Sequence, residues 1–283
     1  MRVIAMCVVL AWTGACAGAV HASRERPPAE GFIQNGDIKL AYHLDWPQGS
    51  GPFPAVVIGH GSGEVTRRNN QFFAQQFVSR GFVALTYDKR GVGESTGVYS
   101  GVGVKNGDRM FDLLSSDMVA GVEFLRRQPE IDSKLIGLAG ASQAGWIIPL
   151  AAKKTPVAFM ILFSGPTVSI GEENYYSDFA EFGGTTLDRA YDQLSRFSGP
   201  RGFDPAPILE TLNTPGLWLL GQADESIPER NTAAILRALA AKGRPFTVVE
   251  YPGANHGLFN PQTGERPPVW TDIERFLAAI RKQ

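Results

Sequence analysis

Apolar runs of strand length recur along the chain and alternate with stretches that have helical spacing. Two short runs near 31–34 and 38–45 flank Asn35-Gly36, a dipeptide that favours the positive φ angles of a tight hairpin turn. The later runs are apolar throughout, which is typical of strands buried on both faces of a sheet. These runs cover 54–59, 82–87, 135–139, 158–163, 217–220 and 246–251.

Apolar residues at steps of three and four predict two amphipathic helices, one over 111–125 that ends before Pro129 and one over 269–280. Strands that alternate with helices imply right-handed crossovers and a mostly parallel central sheet with helices on both faces. The pattern therefore predicts an α/β fold with ligands at the carboxyl ends of the strands. Asp117 and Glu123 on the first helix are interpreted as a solvated face, paired locally with Arg126 and Arg127.

The stretch 170–213 interrupts this alternation with glycine, proline and many aromatic residues. We interpret it as a small cap inserted into one domain that spans residues 23–283. Most of its rings are expected to pack the insert onto the sheet rather than to contact a substrate. The pocket that sets acyl and alcohol preference is expected beneath this cap.

The first 22 residues are typical of a signal peptide, with Arg2 before an apolar stretch rich in small residues and 20–22 resembling a cleavage site. We expect cleavage after Ala22 and export to the periplasm or the medium, without stable insertion into a membrane. A buried N-terminal helix or a membrane span is the alternative, for which the apolar part is short. Cys7 and Cys16, the two cysteines of the sequence, lie here, so the mature chain would lack a thiol nucleophile. Lipid anchoring through Cys16 is the minor alternative.

Composition narrows the function classes further. The 283 residues are 43% hydrophobic and 19% charged, which suits one domain with a sizeable core. A net charge of -1 provides no basic stripe, so no nucleic-acid partner is predicted. The segments Gly91-Val92-Gly93 and Gly101-Val102-Gly103 do not complete a dinucleotide-binding pattern, because Thr96 and Asn106 stand where its third glycine would be. No Walker A pattern or metal-ligand spacing of histidines occurs. The sequence therefore predicts neither a cofactor nor a metal.

Residues 140–145, Gly-Ala-Ser-Gln-Ala-Gly, lie between a predicted strand and a predicted helix. This strand, turn and helix context is that of a nucleophile elbow, in which a serine hydroxyl stands exposed at a helix N-terminus. We therefore identify Ser142 as the candidate nucleophile. Ala144 replaces the second glycine of the G-x-S-x-G form, and an ordinary helix N-cap is the alternative interpretation of Ser142.

The segment His60-Gly61-Ser62-Gly63 directly follows the predicted strand over 54–59. In this architecture the loop at that place turns backbone N–H groups towards the nucleophile. The N–H groups of Ser62 and Gln143 are the candidate oxyanion donors, since acyl transfer creates a negative oxygen that such donors stabilise. His60 is interpreted as a structural residue of the loop.

A serine nucleophile needs a histidine to remove its proton and an acid to orient that histidine. His256 follows the last predicted strand and precedes the last helix, which is the place of the base. Asp224 follows the strand over 217–220 and completes the chain order Ser, Asp, His, so it is the predicted acid. Asp204, within the insert, is the alternative acid.

Taken together, the segments 60–63, 87–95 and 140–145 resemble the α/β-hydrolase superfamily, and the resemblance covers residues 31–283. Within the superfamily they are similar to bacterial serine carboxylesterases related to dienelactone hydrolases and serine aminopeptidases. The resemblance implies an α/β-hydrolase fold and a scaffolding role for Asp88 and Arg90. The predicted function is hydrolysis of a small-molecule carboxylic ester through an acyl-enzyme. The alternatives are a peptidase or amidase acting on small peptides or aminoacyl amides, and a catalytically silent member that binds a ligand.

Overall fold

The computed structural model describes residues 26–282, in which a single eight-stranded sheet carries helices on both of its faces. The predictions about residues 1–22, including cleavage after Ala22 and the role of Cys16, lie outside the described residues. The strands are β1 (Glu30–Asn35), β2 (Ile38–Asp45), β3 (Phe53–Ile58), β4 (Val83–Tyr87), β5 (Ile131–Ala141), β6 (Met160–Phe163), β7 (Gly216–Gly221) and β8 (Phe246–Tyr251).

The strands lie in the order β1-β2-β4-β3-β5-β6-β7-β8. The first two strands pair antiparallel, β2 pairs antiparallel with β4, and all later pairings are parallel. The hairpin between β1 and β2 turns at Gly36, whose φ of 57° is strained for other residues. Because every parallel strand ends at the same edge, the loops after β3, β5, β7 and β8 meet there.

The helices cover the sheet in two layers. They are α1 (Gln71–Val78), α2 (Gly107–Arg126), α3 (Ala144–Lys154), α4 (Ile170–Ala180), α5 (Leu187–Leu194), α6 (Ala206–Leu209), α7 (Glu229–Ala241) and α8 (Val269–Ile280), with a 3-10 turn over Arg67–Asn70 before α1.

Alternate residues of the strands supply the two cores. In β3, Ala55 and Val57 face a core shared with α2, α3 and α7, whereas Val56 and Ile58 face a core shared with α1 and α8. Both faces are therefore buried, which accounts for the continuous apolar runs in the sequence. A third, smaller cluster joins the rings of α4 and α5 to one another.

The predicted α/β fold is confirmed, and every strand run seen in the sequence lies on a strand. The helices over 111–125 and 269–280 are also present, as is the helix that opens after Ser142. Helices α1, α4, α5, α6 and α7 were not predicted. The small-cap interpretation of 170–213 stays a prediction.

One prediction about α2 is wrong. Asp117 does not lie on a solvated face but is buried, and both of its carboxylate oxygens accept hydrogen bonds from Arg90 at 2.7 Å. Asn35 donates a further bond to it. Helical spacing shows only neighbours on the same helix, and these partners are 27 and 82 residues away in the chain. Glu123 does pair locally with Arg126.

Among residues 26–282, none of the helices is both long and apolar enough to cross a membrane. In the same residues, acidic, histidine and cysteine side chains do not gather in any group of three that could hold a metal ion.

Candidate active site

Ser142 lies on the turn between β5 and α3 with a positive φ of 55°, which is rare for a residue with a side chain. The turn is held on both sides, because the Ser142 N–H donates to Phe163 O at 2.9 Å and the Ser142 carbonyl accepts from the Gly145 N–H at 2.8 Å. Strain of this kind at a strand-to-helix turn is the geometry of a nucleophile elbow.

The alanine that departs from the G-x-S-x-G form is accommodated by glycines around it. A Cβ at Gly140 would lie only 2.6 Å from the Ala144 Cβ, and one at Gly59 would lie 3.6 Å from it. A Cβ at Gly145 would lie 2.6 Å from Pro166 N. The elbow therefore closes with an alanine at 144 because residue 140 lacks a side chain, and Gly145 allows the close approach of the chain at Pro166.

Asp224 and His256 come together from the ends of β7 and β8. His256 Nδ1 lies 2.8 Å from Asp224 Oδ2 and 3.1 Å from Oδ1. The Asp224 carboxylate is fully buried and also accepts the N–H groups of Ser226 and Ile227 at 2.8 and 3.0 Å. Because Nδ1 donates to the carboxylate, Nε2 of His256 is the atom that can accept a proton.

The electrostatics of this pair favour a charged histidine. Burial lowers the pKa of His256, but the hydrogen bond and negative charge of Asp224, together with the charges of Glu181 and Glu173, raise it above its ordinary value. Ser142 and His256 line the same cavity. No hydrogen bond joins their side chains within residues 26–282; such contacts commonly tighten when substrate binds.

The loop after β3 faces the elbow from the other side. A Cβ placed on Gly61 would lie 3.8 Å from the Ser142 Cβ, so the loop passes directly beside the serine. Within the described chain the N–H groups of Ser62 and Gln143 donate no hydrogen bond to another residue. Neither Ser62 nor Gln143 lines the cavity that holds Ser142 and His256, and their role as oxyanion donors stays a prediction.

His60 is held away from proton transfer. Its Nε2 lies 2.6 Å from the Tyr87 carbonyl, to which it donates, and the ring is fully enclosed. Burial, reinforced by the charge of Lys89, lowers the pKa of His60 to about 3, so the ring stays neutral.

Asp88 and Arg90 anchor the turn after β4. The Asp88 carboxylate accepts from the backbone and guanidinium of Arg67 and from the Glu94 N–H. Arg90 is bound to Asp117 as described above. Neither side chain lines the cavity beside Ser142.

A cavity of about 820 Å³ opens beside Ser142 and His256. Its walls are mostly apolar and aromatic, with Gln76 and Arg266 as the polar members besides the serine and histidine. The rings and aliphatic side chains that line it are Phe72, Phe73, Phe163, Leu258, Val269 and Trp270.

This location overturns one expectation from the sequence, because no residue of 170–213 lines the cavity. The walls come instead from α1 and from the segment that leads into α8. The adjacent Phe72-Phe73 pair, nine residues after the 60–63 loop, was the sequence signal that could have pointed there. Trp270, another ring of the cavity, is distant in the chain.

The insert contacts Asp224 and lies near His256 without lining the cavity. The Tyr176 hydroxyl donates to the Asp224 carbonyl at 2.8 Å. Glu173, on the same helix, lies close enough to His256 for their charges to interact. Asp204, the alternative acid, is elsewhere, since its carboxylate accepts from Arg201 and from the Ala206 N–H at 2.8 and 2.9 Å.

Backbone strain also converges on this region. Within residues 26–282, the non-glycine residues with positive φ are Ser142, Ser164 and Leu258. Ser164 donates its hydroxyl to the His256 carbonyl at 2.9 Å, and Leu258 follows His256 by two residues and lines the cavity. Strained residues that cluster in this way are typical of functional sites.

Strand order, elbow and histidine loop together define an α/β-hydrolase. More narrowly, residues 69–280 match the prolyl oligopeptidase family, so the chain belongs to that family and is a hydrolase of the serine-hydrolase type. The sequence resemblance to the α/β-hydrolase superfamily is thereby confirmed.

Individual relatives agree with this assignment. The chain is 25% identical over 237 residues to the protein named "Putative carboxymethylenebutenolidase" of Synechocystis sp., covering 80% of this chain and 84% of that protein. It is 25% identical over 175 residues to acylamino-acid-releasing enzyme 1 of Oryza sativa subsp. japonica, covering 57% of this chain but only 21% of the rice protein. The solved structure of "Putative Dienelactone Hydrolase" from Klebsiella pneumoniae superposes with a TM-score of 0.62 at 18% identity, covering 90% of this chain and 98% of that one.

Proposed function

We propose that this protein hydrolyses carboxylic esters through an acyl-enzyme formed on Ser142. The observation that carries the proposal is the hydrogen bond between Asp224 and His256 Nδ1, which leaves Nε2 basic on the cavity that Ser142 also lines. His256 takes the Ser142 proton, and Oγ attacks the ester carbonyl carbon. Asp224 keeps the tautomer and stabilises the imidazolium without taking the proton.

The remaining steps follow from the same groups. The N–H groups of Ser62 and Gln143 stabilise the oxyanion of the tetrahedral intermediate. The intermediate collapses, His256 gives its proton to the departing alcohol, and the acyl group stays on Ser142. His256 then deprotonates a water molecule that attacks the acyl-enzyme, and it returns that proton to Ser142 Oγ as the acyl–oxygen bond breaks and the acid is released.

The cavity indicates what kind of ester is accepted. Its lining is dominated by aromatic and aliphatic side chains, and its volume of about 820 Å³ is that of a small-molecule site. Burial of apolar groups is favourable roughly in proportion to the area removed from water. We therefore expect esters with a sizeable apolar or aromatic group to be preferred over acetates.

The test is an assay of the purified protein on nitrophenyl esters of graded acyl length, beside Ser142→Ala. We expect kcat to fall by about 10⁴-fold or more in this variant, because the nucleophile of a cooperating triad is lost. Ser195→Ala is the matched control, since the Ser195 hydroxyl only bonds the Asp192 carbonyl on the exposed end of α5. An inactive wild type, or full activity in Ser142→Ala, would refute the proposal.

A second candidate is cleavage of aminoacyl or peptide amides, favoured by membership of the prolyl oligopeptidase family. The same triad would serve, but the leaving amine is much poorer than an alcohol. Aminoacyl anilides assayed beside the esters separate the two: anilide kcat/KM above that of the best ester would make the protein an amidase.

A further inference from the structure

Lys89 is a fully buried lysine directly behind the proposed oxyanion donors. Its Nζ donates to the Gly61 and Gly63 carbonyls, both at 2.7 Å, and to Gln143 Oε1 at 3.2 Å. An ammonium group has three protons, so these acceptors use all of them. The lysine thus ties the loop after β3 to the residue that follows Ser142.

The charge of this lysine has no carboxylate among its hydrogen-bond partners. All three acceptors are neutral, and Nζ lies 4.4 Å from the centre of the Tyr99 ring. The neighbouring Asp88 carboxylate is already bound to Arg67. Burial lowers the pKa of Lys89 to about 7, which expresses the cost of desolvating the ammonium. Burying a cation without a neighbouring anion costs free energy, and merely holding a loop in place would not require a charged side chain.

The contact between Lys89 and the Gly61 carbonyl affects the proposed oxyanion donor Ser62 through the peptide group that joins these two residues. The Gly61 carbonyl and the Ser62 N–H belong to one planar peptide unit, and in a trans peptide the two bonds point in opposite directions. When Lys89 holds the carbonyl oxygen, the orientation of the Ser62 N–H is fixed on the opposite side. A cation on the carbonyl oxygen also polarises the unit and strengthens its N–H as a donor.

We propose that Lys89 is a positioning residue of the oxyanion hole, which orients and polarises the Ser62 N–H through Gly61 and holds Gln143 through its side-chain amide. The proposal rests on the esterase function proposed above. The effect should increase as negative charge develops on the substrate oxygen. Loss of Lys89 should therefore lower kcat and leave ground-state binding of the substrate nearly unchanged.

The experiment compares full-length wild type with Lys89→Met, which keeps the length of the side chain and removes its donors. We measure kcat and KM on the preferred nitrophenyl ester, and Ki for a trifluoromethyl ketone with the same acyl chain, whose adduct with serine places an oxyanion in the hole. Removal of one oxyanion donor commonly costs 10²–10³ in kcat, and here the donor is misplaced rather than lost, so we expect a fall of about 10–100-fold. The ketone should weaken by a similar factor, with KM within about threefold.

The control is Arg90→Gln, which breaks the buried contact with Asp117 on the same turn and does not touch the oxyanion loop. We expect this variant to unfold at a lower temperature but to keep wild-type kcat and Ki while it is folded. If Lys89→Met behaves in the same way, losing only thermal stability, then the lysine is merely structural and the proposal is overturned.

A milder variant covers the case in which Lys89→Met does not fold. Gln143→Met removes one acceptor of the ammonium but keeps the backbone N–H, so a fall in kcat of about 3–10-fold with unchanged KM is expected. Wild-type kcat and ketone affinity in Gln143→Met would overturn the proposal. An inactive wild type would instead refute the esterase function itself, so the two failures are distinct.

Discussion

The two sides of His256 differ in chemistry and in the part of the chain that builds them. On one side the rings of Phe72 and Trp270 line an apolar cavity. On the other side α4 brings Glu173 near the imidazole and bonds the Asp224 backbone through Tyr176.

The rings of the insert pack mainly with one another. Tyr175 lies 5.2 Å from Phe179 between ring centroids, and Tyr176 lies 4.9 Å from Tyr191. An insert rich in aromatic residues is therefore not the same as a wall of the substrate site. Here the insert contacts Asp224 and lies near His256, whereas the proposed surface for an apolar substrate is built by other parts of the chain.

The largest effect on activity is expected from substitution of Asp224, the proposed acid, which binds both His256 and the insert. Asp224→Asn removes the charge that orients His256, and we expect kcat to fall by about 10³–10⁴-fold, as when the acid of such a triad is neutralised. The residual activity should also reach its plateau at lower pH. Neutral His256 is the active form, and loss of the carboxylate lowers the raised pKa of His256.

Asp204→Asn is the matched control for this prediction. Asp204 only pairs with the exposed Arg201 and caps the Ala206 N–H, so kcat should stay within about twofold. Steady-state kinetics across about pH 5–9, a range that brackets the ordinary histidine pKa of about 6.5, measures both variants. If Asp204→Asn were the more impaired, the acid would lie in the insert.

A smaller effect should separate two exposed phenylalanines on opposite sides. Phe72 is 63% exposed and lines the cavity, whereas Phe182 is 76% exposed at the end of α4 and does not. Phe72→Ala should reduce kcat/KM on long or aryl esters by about tenfold, since contact with one ring is worth roughly 1–2 kcal/mol. Acetate esters should be little affected.

Phe182→Ala should leave both classes of ester unchanged. The measurement is the ratio of kcat/KM between long and short esters in each variant. A loss of chain-length preference in Phe182→Ala, with Phe72→Ala unaltered, would restore the insert as the specificity wall.

The smallest effect concerns the acidic side of His256. Burial raises the pKa of Glu173 to about 8, with contributions from Glu181, Asp224 and Asp178 and an opposing one from His256. Only the ionised fraction of Glu173 raises the pKa of His256, and that fraction is small below pH 8, so Glu173→Gln should lower the His256 pKa only slightly. Because activity appears as pH rises through the histidine pKa, the acid limb of the pH profile should move to lower pH by less than about one unit.

Glu172→Gln tests whether any change is specific to the neighbour of His256. Glu172 lies one residue earlier on α4 and accepts from the Ser169 backbone and hydroxyl as part of the helix cap. Glutamine keeps an acceptor for that cap, and the acid limb should not move. An equal shift in both variants would mean that the charge of α4 acts from a distance rather than through Glu173.

The strands and the chain order of the candidate catalytic residues could be predicted from the sequence, for two different reasons. Each parallel strand is buried on both faces, so its residues must be apolar almost without interruption, as in β4 and β7. The candidate nucleophile, acid and base could be predicted because in an α/β-hydrolase these residues follow particular strands. Ser142, Asp224 and His256 stand after β5, β7 and β8, and their positions in the chain already place them at one edge.

Two of the missed helices, α1 and α4, had no comparable signal. Helix α1 exposes Phe72 and buries Ala74 and Phe77, so its apolar residues do not form one clear stripe. Helix α4 is largely polar and begins with a capping box at Ser169 and Glu172. Its position depends on packing against α5 and on the Tyr176 contact with Asp224, which are contacts between distant residues.

By itself, the sequence determined which residues could carry out serine chemistry and at which ends of strands they stand, because alternating strands and helices have few ways to fold. Tertiary structure decided which residues surround them. Asp117 became a buried partner of Arg90, Lys89 came to bind the Gly61 carbonyl in the loop after β3, and the cavity opened towards α1 rather than beneath 170–213. Each of these results depends on contacts between segments far apart in the chain, which local patterns do not encode.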